Sequence, residues 1–427
     1  MINQQIPLLQ INQTNSSNHN ANFDYSLEAL RGLAAFLVVL EHAYKPETSL
    51  DPNYNLEGVW QIPMPGHLSV IVFFMLSGYV IGLANRKAIT TNEERKLYLK
   101  KRLVRLYPLY ALAIIATVLV ASLHNAYIQL SSVGGWVFFL QGLAVEVPAF
   151  NQPLWSLSYE IIYYLLFLLV SYKQWRAEWV ALFFLGTGLT IHALQLKPMV
   201  LASYSYGAVF WFLGLLMTRF KKSETPQKYG VMLAFLLLML CFHRLNFGGI
   251  VLASLRLDVN EVQAPYFFDR AIVFSDISLL CYCVPLLLCF TNRFVFGKRF
   301  IELIAFSIPG LYLMAYIVSG KIKQPDLYNT VFFPSIFYLL SILAYVFSSN
   351  LESAGRLILD KLKPLGLISY GVYIIHVPIL SIFSLVPVFT GTVLSFAIRL
   401  IIYLFIVLLV GWVLERKVQP WFKEKLM

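Results

Sequence analysis

The stretch LEALRGLAAFLVVLEHA, residues 27–43, is apolar enough to cross a membrane but carries charged or titratable residues near both ends. Glu28 and Arg31 lie near its start, and Glu41 and His42 lie near its end. Eleven helical residues turn through about 1,100°, about 20° past three full turns, and rise roughly 16 Å. Arg31 and His42 are therefore predicted to share one helix face at different depths, and Glu28 is placed to pair with Arg31.

This shared face has two interpretations. Arg31 can simply reach the inner headgroups while His42 meets the outer interface. Alternatively, the two side chains line a polar path through the bilayer, because ionisable groups inside membrane proteins usually mark such paths. The later segments of the chain favour the second interpretation.

The composition indicates a membrane protein. Of the 427 residues, 59% are hydrophobic and 13% are charged, and the mean hydropathy is +0.69, whereas about 25% of a soluble protein is charged. In a soluble chain the net charge of +11 would suggest a nucleic-acid partner, but the positive-inside bias of membrane proteins explains it here. The four cysteines have no Cys-x-x-Cys spacing, so neither a disulfide framework nor a metal site is predicted.

The apolar runs predict an all-α, polytopic membrane helix bundle with about ten to twelve transmembrane helices. The run 132–144 is short and glycine-rich, and we expect it to be re-entrant or interfacial. The twelve predicted spans are 26–44, 66–84, 105–123, 153–171, 177–195, 200–218, 229–247, 271–290, 301–319, 328–348, 366–386 and 391–413.

The basic residues predict the orientation of the bundle. They concentrate in every second connection and in the C-terminal tail, so the positive-inside rule places both termini in the cytoplasm. Residues 1–24 are rich in Asn, Gln and Ser and predict a flexible tail, residues 25–415 a membrane domain, and residues 416–427 a basic cytoplasmic tail. The most basic connection joins the second and third spans and carries Arg86, Lys87, Arg95, Lys96, Lys100, Lys101, Arg102 and Arg105.

Two early segments add candidate site residues. HLSVIVFFMLSGYVIG (67–82) places Ser77 and Gly78 inside a span, where small residues allow close helix contact. KKRLVRLYPLYAL (100–112) places Arg102 and Arg105 three residues apart on one helix face. These arginines are either a positive-inside anchor or the cytoplasmic entrance to a polar path.

Two later segments place polar groups deep in apolar helices. In NQPLWSLSYEIIYYLLF (151–167), Glu160 lies about two turns inside an aromatic-rich span, where a carboxylate is costly unless it is paired or solvated. ISYGVYIIHVPIL (368–380) predicts that Tyr370, Tyr373 and His376 are buried, and His376 is either a satisfied histidine of the bundle or a reacting group.

Taken together and in order, these stretches resemble the acyltransferase-3 family of bacterial integral-membrane acyltransferases, which modify sugars of surface polysaccharides and related glycans. LEALRGLAAFLVVLEH resembles the opening of the family, with its arginine and histidine eleven positions apart. FFMLSGYVIG, KKRLVRLYP, PLWSLSYEIIYY and ISYGVYIIHVP resemble further family segments. Glu28 stands where members often carry Asp, and twelve spans exceed the usual ten or eleven. No esterase-like domain follows the last predicted span, as expected for a membrane-only form.

The resemblance implies an O-acyltransferase of the bacterial cytoplasmic membrane. Its donor would be cytoplasmic acyl-CoA, most simply acetyl-CoA, and its acceptor a hydroxyl of a lipid-linked or cell-surface glycan near the outer face. Arg102 and Arg105 would bind the phosphates of the donor, and Arg31 the phosphates or the pantetheine arm. No metal takes part in this reaction scheme.

The implied chemistry gives His42 the role of general base, because imidazole titrates near neutral pH. We expect Glu160 to orient or stabilise the His42 imidazole, as the carboxylate does in a catalytic triad. The sequence leaves open whether His42 acts as a base or briefly carries the acyl group, and the base role is preferred. Three candidate donors to the oxyanion are Trp155, Ser158 and Tyr163. The other candidates for substrate contact are Glu28, Ser77, Tyr370 and His376.

The alternative function is a transporter or exporter of a glycan or lipid-linked intermediate, since twelve spans with both ends inside is a common transporter count. No matching halves or paired interrupted helices support it. A non-catalytic protein of the same fold would be expected to lack His42, and a channel would need a filter sequence. The outer segment 248–270 is the predicted determinant of acceptor selectivity.

Overall fold

The computed structural model describes residues 25–45, 50–60, 62–245, 271–293, 295–318 and 331–427. The predicted tail 1–24 and the predicted selectivity segment 248–270 lie outside the described residues. Fifteen α-helices occur in the described ranges, and they are α1 Tyr25–Tyr44, α2 Gly66–Ala84, α3 Asn92–Leu123, α4 Leu130–Val137, α5 Trp155–Tyr172, α6 Ala177–Ala193, α7 Val200–Met217, α8 Tyr229–Phe242, α9 Leu280–Thr291, α10 Lys298–Val318, α11 Phe333–Val346, α12 Glu352–Gly366, α13 Ser369–Ser384, α14 Val393–Val413 and α15 Gln419–Leu426.

The helices confirm the predicted all-α membrane fold. Within the described ranges, seven helical segments are long and apolar enough to cross a membrane, and α12 with α13, bent by 70°, forms an eighth, broken one. Three shorter apolar helices are α6, α8 and α11. Each of the twelve predicted spans contains a helix, including α1 with its three charged residues Glu28, Arg31 and Glu41. The run 132–144 contains part of the eight-residue helix α4 and no spanning helix. The position of the termini relative to the membrane stays a prediction.

Small residues allow the helices around the site to touch. A Cβ atom at Gly78 of α2 would lie 1.9 Å from the Trp211 carbonyl oxygen of α7, and one at Gly214 of α7 would lie 1.9 Å from the Met75 carbonyl oxygen. These two glycines therefore hold α2 and α7 in backbone contact, as the sequence predicted for the Ser77–Gly78 pair. Between α12 and α1, a Cβ at Gly366 would lie 2.0 Å from the Glu28 carbonyl oxygen.

Prolines inside two helices leave a backbone carbonyl without its N–H donor, and a side-chain amide bonds to each of these carbonyls. Proline has no N–H, so Pro378 leaves the carbonyl of Ile374, four residues earlier in α13, without its helical donor. The Nδ2 of Asn151 donates to that carbonyl at 2.9 Å and ties α13 to the 3-10 segment Ala149–Leu154 that leads into α5. Pro108 of α3 has the same effect on Val104, whose carbonyl accepts from Nε2 of Gln419 at 2.8 Å.

Two hydrophobic clusters fill the bundle. One lies among α3, α5, α13 and α14, and the other among α8, α9 and α10. Helices α1, α2 and α7 contribute buried side chains to both clusters, so they form the wall between them. The polar faces of α1 and α2 open toward α5 and α13, where the candidate site lies.

Candidate active site

Three arginines from two helices line one cavity of about 240 Å³. Arg31 comes from α1, and Arg102 and Arg105 come from α3, where their spacing places them on one face. We call this space the basic cavity. Its other polar lining residues are Ser77, Ser156, Glu160, Tyr164, Ser369, Tyr370 and Tyr373.

The three arginines have different partners. The Nη1 of Arg31 donates to Glu28 at 3.0 Å, as the sequence predicted. Arg105 donates through both terminal nitrogens to Glu415, at 2.8 and 3.0 Å, and its guanidinium lies 5.3 Å from the Tyr370 ring centre. Arg102 packs beside the Tyr98 and Tyr164 rings, and its buried Nε has no hydrogen-bond partner among the described residues.

Glu160 lies in the basic cavity, where its Oε1 accepts hydrogen bonds from Ser77 at 3.1 Å and from Tyr164. The indole of Trp211 donates in turn to the Ser77 hydroxyl at 3.3 Å. The sequence-based hypothesis made Glu160 the partner of the His42 imidazole. The structure instead gives Glu160 two hydroxyl donors in the basic cavity, whereas His42 lines a different cavity.

His42 lines a larger cavity of about 790 Å³, which we call the histidine cavity. The Nε2 of the fully buried His376, on α13, lies 3.4 Å from Nδ1 of His42, and the two ring centres are 5.0 Å apart. The structure therefore brings His376, rather than Glu160, to His42. Further lining residues are Glu41, Lys45, His67, Val70, His124, Phe150, Trp155 and Tyr373.

The hydrogen-bond network assigns the tautomers of both histidines when they are neutral. Carbonyl oxygens only accept, so the Nδ1 of His42, 2.9 Å from the Val38 oxygen, must carry a proton. The Nδ1 of His376, 2.6 Å from the Tyr373 oxygen, must carry one for the same reason. The single Nδ1–H of His42 bonds to the closer Val38 oxygen and can be shared, at 3.4 Å, with the Nε2 of His376, and the Nε2 of His42 is its basic nitrogen.

The two cavities adjoin. Val70 of α2 and Tyr373 of α13 line both of them, so these two side chains form their common wall. The Tyr373 hydroxyl is held by the Ser156 hydroxyl at 2.8 Å and the Pro153 carbonyl at 3.1 Å, which fixes the ring in place. Arg31 and His42 therefore line two separate cavities that meet at this wall, and a continuous polar path between them stays a prediction.

The structure separates the three predicted oxyanion donors. Trp155 lines the histidine cavity. The Ser158 hydroxyl is 2.7 Å from the Trp155 carbonyl and 2.8 Å from the Tyr204 hydroxyl, and the Tyr163 hydroxyl donates to the Tyr204 carbonyl at 2.9 Å. Ser158 and Tyr163 are fully buried between α5 and α7 and are committed there, so we leave both out of the site.

Among the other predicted contacts, Ser77 and Tyr370 line the basic cavity, whereas Glu28 reaches it only through Arg31. Sequence reasoning missed Glu415, because the basic residues that follow it made residues 416–427 look like a plain cationic anchor. The signal was a carboxylate at the end of a long apolar helix, where an ionised group needs a partner. In the described residues, no three His, Cys, Asp or Glu side chains are placed to hold a metal ion.

Comparison with known proteins now identifies the class. The model of the acyltransferase-3 family, described as an acyltransferase domain, matches residues 24–416, and the chain belongs to this family. Acyltransferase MdmB of Streptomyces mycarofaciens is 31% identical over 154 residues, which cover 33% of this chain. The match spans 38% of the length of that relative. No solved structure matches the chain significantly.

Proposed function

We propose that the protein is a membrane O-acyltransferase that moves an acyl group, most simply acetyl, from cytoplasmic acyl-CoA to a hydroxyl of a glycan or lipid-linked sugar. The observation that carries this proposal is the pair of adjoining cavities, one lined by arginines and the other by His42. A donor and an acceptor held in separate cavities would meet at the common wall formed by Val70 and Tyr373.

The basic cavity suits the narrow arm of the donor. At about 240 Å³ it is smaller than the roughly 300–1,000 Å³ typical of sites for whole ligands. The pantetheine arm would enter it, and the nucleotide would stay at the mouth. Arg102 is the best placed phosphate ligand, because it has no carboxylate partner among the described residues, whereas Arg31 and Arg105 each have one.

His42 would act as the general base. Its Nε2 takes the proton of the acceptor hydroxyl as that oxygen attacks the thioester carbonyl carbon, and the tetrahedral intermediate then expels the CoA sulfur. The imidazolium returns the proton to the thiolate, so the products are the ester and CoA thiol. The Val38 carbonyl and the Nε2 of His376 both face the other nitrogen of His42 and so fix the ring orientation.

Glu160 has a different proposed role from the one predicted for it. Lying beside three arginines, its carboxylate offsets part of their positive charge and orients the hydroxyls of Ser77 and Tyr164 in the donor cavity. The proposal also places the protein in the cytoplasmic membrane of a bacterium, with the basic connections and both termini inside.

Thiol release tests the role of His42. With purified protein in detergent, acetyl-CoA and a panel of glycans, we expect His42→Ala to lower transfer by at least about 100-fold, the usual contribution of a general base. His192→Ala is the matched control, because His192 lines neither cavity. Equal thiol release by the wild type and His42→Ala would remove His42 from the reaction.

A second variant tests the path between the cavities. Val70→Phe places a larger side chain between the two cavities and should abolish transfer while acetyl-CoA still binds. Val70→Ala should keep both transfer and binding. Calorimetric titration of acetyl-CoA measures binding, and mass spectrometry of the glycan measures transfer. Wild-type transfer by Val70→Phe would mean that the donor does not pass this wall.

A further inference from the structure

A third cavity, of about 330 Å³, adjoins the histidine cavity and shares Glu41 and His67 with it. We propose that this third cavity binds a neutral, polyhydroxylated unit of the acceptor, next to the unit whose hydroxyl is acylated. The inference rests on the proposed function and gives the acceptor a minimum size of two sugar units. We call this space the carboxylate cavity, and its polar lining residues are Glu41, His67, His243, Arg244, Ser275, Asp276 and Ser278.

Three helices and the C-terminal end of α8 build the carboxylate cavity. Glu41 directly precedes His42 on α1, His67 lies at the start of α2, and Asp276 belongs to the 3-10 helix Phe274–Leu279 before α9. Gly66 allows this approach, because a Cβ there would lie 1.6 Å from Oε2 of Glu41. The carboxylate of Glu41 therefore lies against the positive end of the α2 dipole and one residue from the proposed base.

Both carboxylates of this cavity have a basic partner. The Oδ2 of Asp276 lies 3.0 Å from Nε2 of His67 and also accepts from the Val273 amide at 2.9 Å. Glu41 pairs with Lys45 at 2.9 Å. Each carboxylate keeps lone pairs for further hydrogen bonds, and the lining sets these two carboxylates beside a single guanidinium, that of Arg244. This lining favours neutral hydroxyl groups over a phosphate or an apolar chain.

The imidazole of His243 adds a further polar group to this lining, at the C-terminal end of α8. An imidazole can donate or accept a hydrogen bond, depending on its tautomer. A hydroxyl group, which both donates and accepts, can pair with either form.

The histidine cavity also has aromatic lining residues, among them Trp155 and Phe150. An acceptor that occupies both cavities would contact these rings in the histidine cavity and hydrogen-bonding groups in the carboxylate cavity. Ligand sites commonly combine such an apolar lining with a few convergent polar groups. The polar end would then decide which hydroxyl is presented to His42.

The test compares acceptors that differ by one sugar unit. The probes are the methyl glycosides of glucose, galactose and rhamnose and the matching disaccharides. For Asp276→Asn and His243→Ala, we expect the KM of a disaccharide acceptor to rise about tenfold, with less than a twofold change for the methyl glycoside and for acetyl-CoA. Asp360→Asn is the matched control, since Asp360 is an exposed carboxylate of α12 paired with Lys363. Equal changes for both acceptors, or none, would overturn the inference.

Direct binding separates this inference from the proposed function. If the wild type releases no thiol with any probe, the disaccharides are titrated calorimetrically against wild type and Asp276→Asn. Binding that Asp276→Asn weakens about tenfold would support the carboxylate cavity even though acyl transfer had failed. No binding of any disaccharide to the wild type, or equal binding to both proteins, would overturn it.

Discussion

Arg102 and Arg105 line the same cavity and carry the same charge, but they have different partners. The side chain of Glu415 is 5% exposed and that of Arg105 is 38% exposed, and two hydrogen bonds join them. The backbone N–H of Gly371 also donates to Glu415, at 3.3 Å. Arg105 thus links α3 to the end of α14 and to α13, whereas Arg102 remains available for an anionic ligand.

We predict that Arg105→Ala destabilises the protein more than Arg102→Ala does. Removing Arg105 leaves the buried Glu415 carboxylate without its cation, which should lower the free energy of unfolding by about 2 kcal/mol. Arg102→Ala should instead weaken acetyl-CoA binding most, and this loss should shrink at high salt. Thermal unfolding in detergent and calorimetric titration measure the two effects.

The double variant Arg105→Ala with Glu415→Gln is the control for this pair. It removes both charges together, so we expect it to recover most of the lost stability, as a double-mutant cycle reveals for a coupled pair. If the two substitutions destabilise additively, Glu415 is not held by Arg105. If Arg102→Ala binds acetyl-CoA normally, the phosphate role of Arg102 is wrong.

The His42–His376 contact leads to a second prediction at this scale. His376→Gln removes the imidazole that accepts from His42 Nδ1, so we expect kcat to fall about 10-fold to 100-fold with the KM for acetyl-CoA unchanged. The pH profile of kcat should shift as well, because the acceptor at Nδ1 affects the basicity of Nε2. Loss of activity only through lower thermal stability, with an unchanged pH profile, would make His376 a packing residue.

At the scale of elements, prolines and amide side chains together fix helix positions. A carbonyl freed by proline inside a membrane has no water to bind, so another group must satisfy it. Asn151 does this for Ile374 of α13, the residue that directly follows Tyr373 of the common wall. This bond joins the 3-10 segment before α5, the helix of Trp155 and Glu160, to the helix that carries Tyr373 and His376.

We predict that Asn151→Ala lowers the free energy of unfolding by about 1–3 kcal/mol, because the Ile374 carbonyl is then buried without a donor. Pro378→Ala supplies a new N–H for the same carbonyl. The effect of Asn151→Ala should therefore be smaller in a Pro378→Ala background, as measured by thermal unfolding. Additive effects within about 0.5 kcal/mol would contradict the link between the two residues.

At the scale of the whole molecule, the proposed reaction needs the two cavities to open toward opposite sides of the membrane. The basic residues predict which side is which, and labelling tests it. In a Cys281→Ser background, we expect Tyr127→Cys, a highly exposed position after α3, to react with an impermeant thiol reagent added outside intact cells. Lys425→Cys, near the end of α15, should react only after permeabilisation.

Cys241, Cys283 and Cys289 are buried and give little background in this assay. Labelling of Lys425→Cys in intact cells, or protection of Tyr127→Cys from the external reagent, would reverse the proposed orientation. A reversed orientation would place the arginines on the outer side, where cytoplasmic acyl-CoA cannot reach them. The labelling experiment therefore also tests whether the acyl donor can be cytoplasmic acyl-CoA.

The sequence by itself determined the class of fold, because a helix that crosses a bilayer must be apolar over most of its length, and that pattern is local. Every predicted span contains a helix in the described ranges. The sequence also predicted the pairing of Arg31 with Glu28 and the common face of Arg102 and Arg105, because helical spacing fixes which side chains lie on one face. The family resemblance added the acyltransferase class, which the family match confirms.

Only the tertiary structure decided which side chain meets His42. Glu160 and His376 are both polar residues deep in apolar helices, and nothing in their spacing from His42 along the chain separates them. Their positions depend on how α5 and α13 pack against α1 and α2, through contacts such as Asn151 with Ile374 that join distant parts of the chain. The Arg105–Glu415 pair and the three adjoining cavities arise in the same way, because helix packing rather than helix periodicity sets distances between spans.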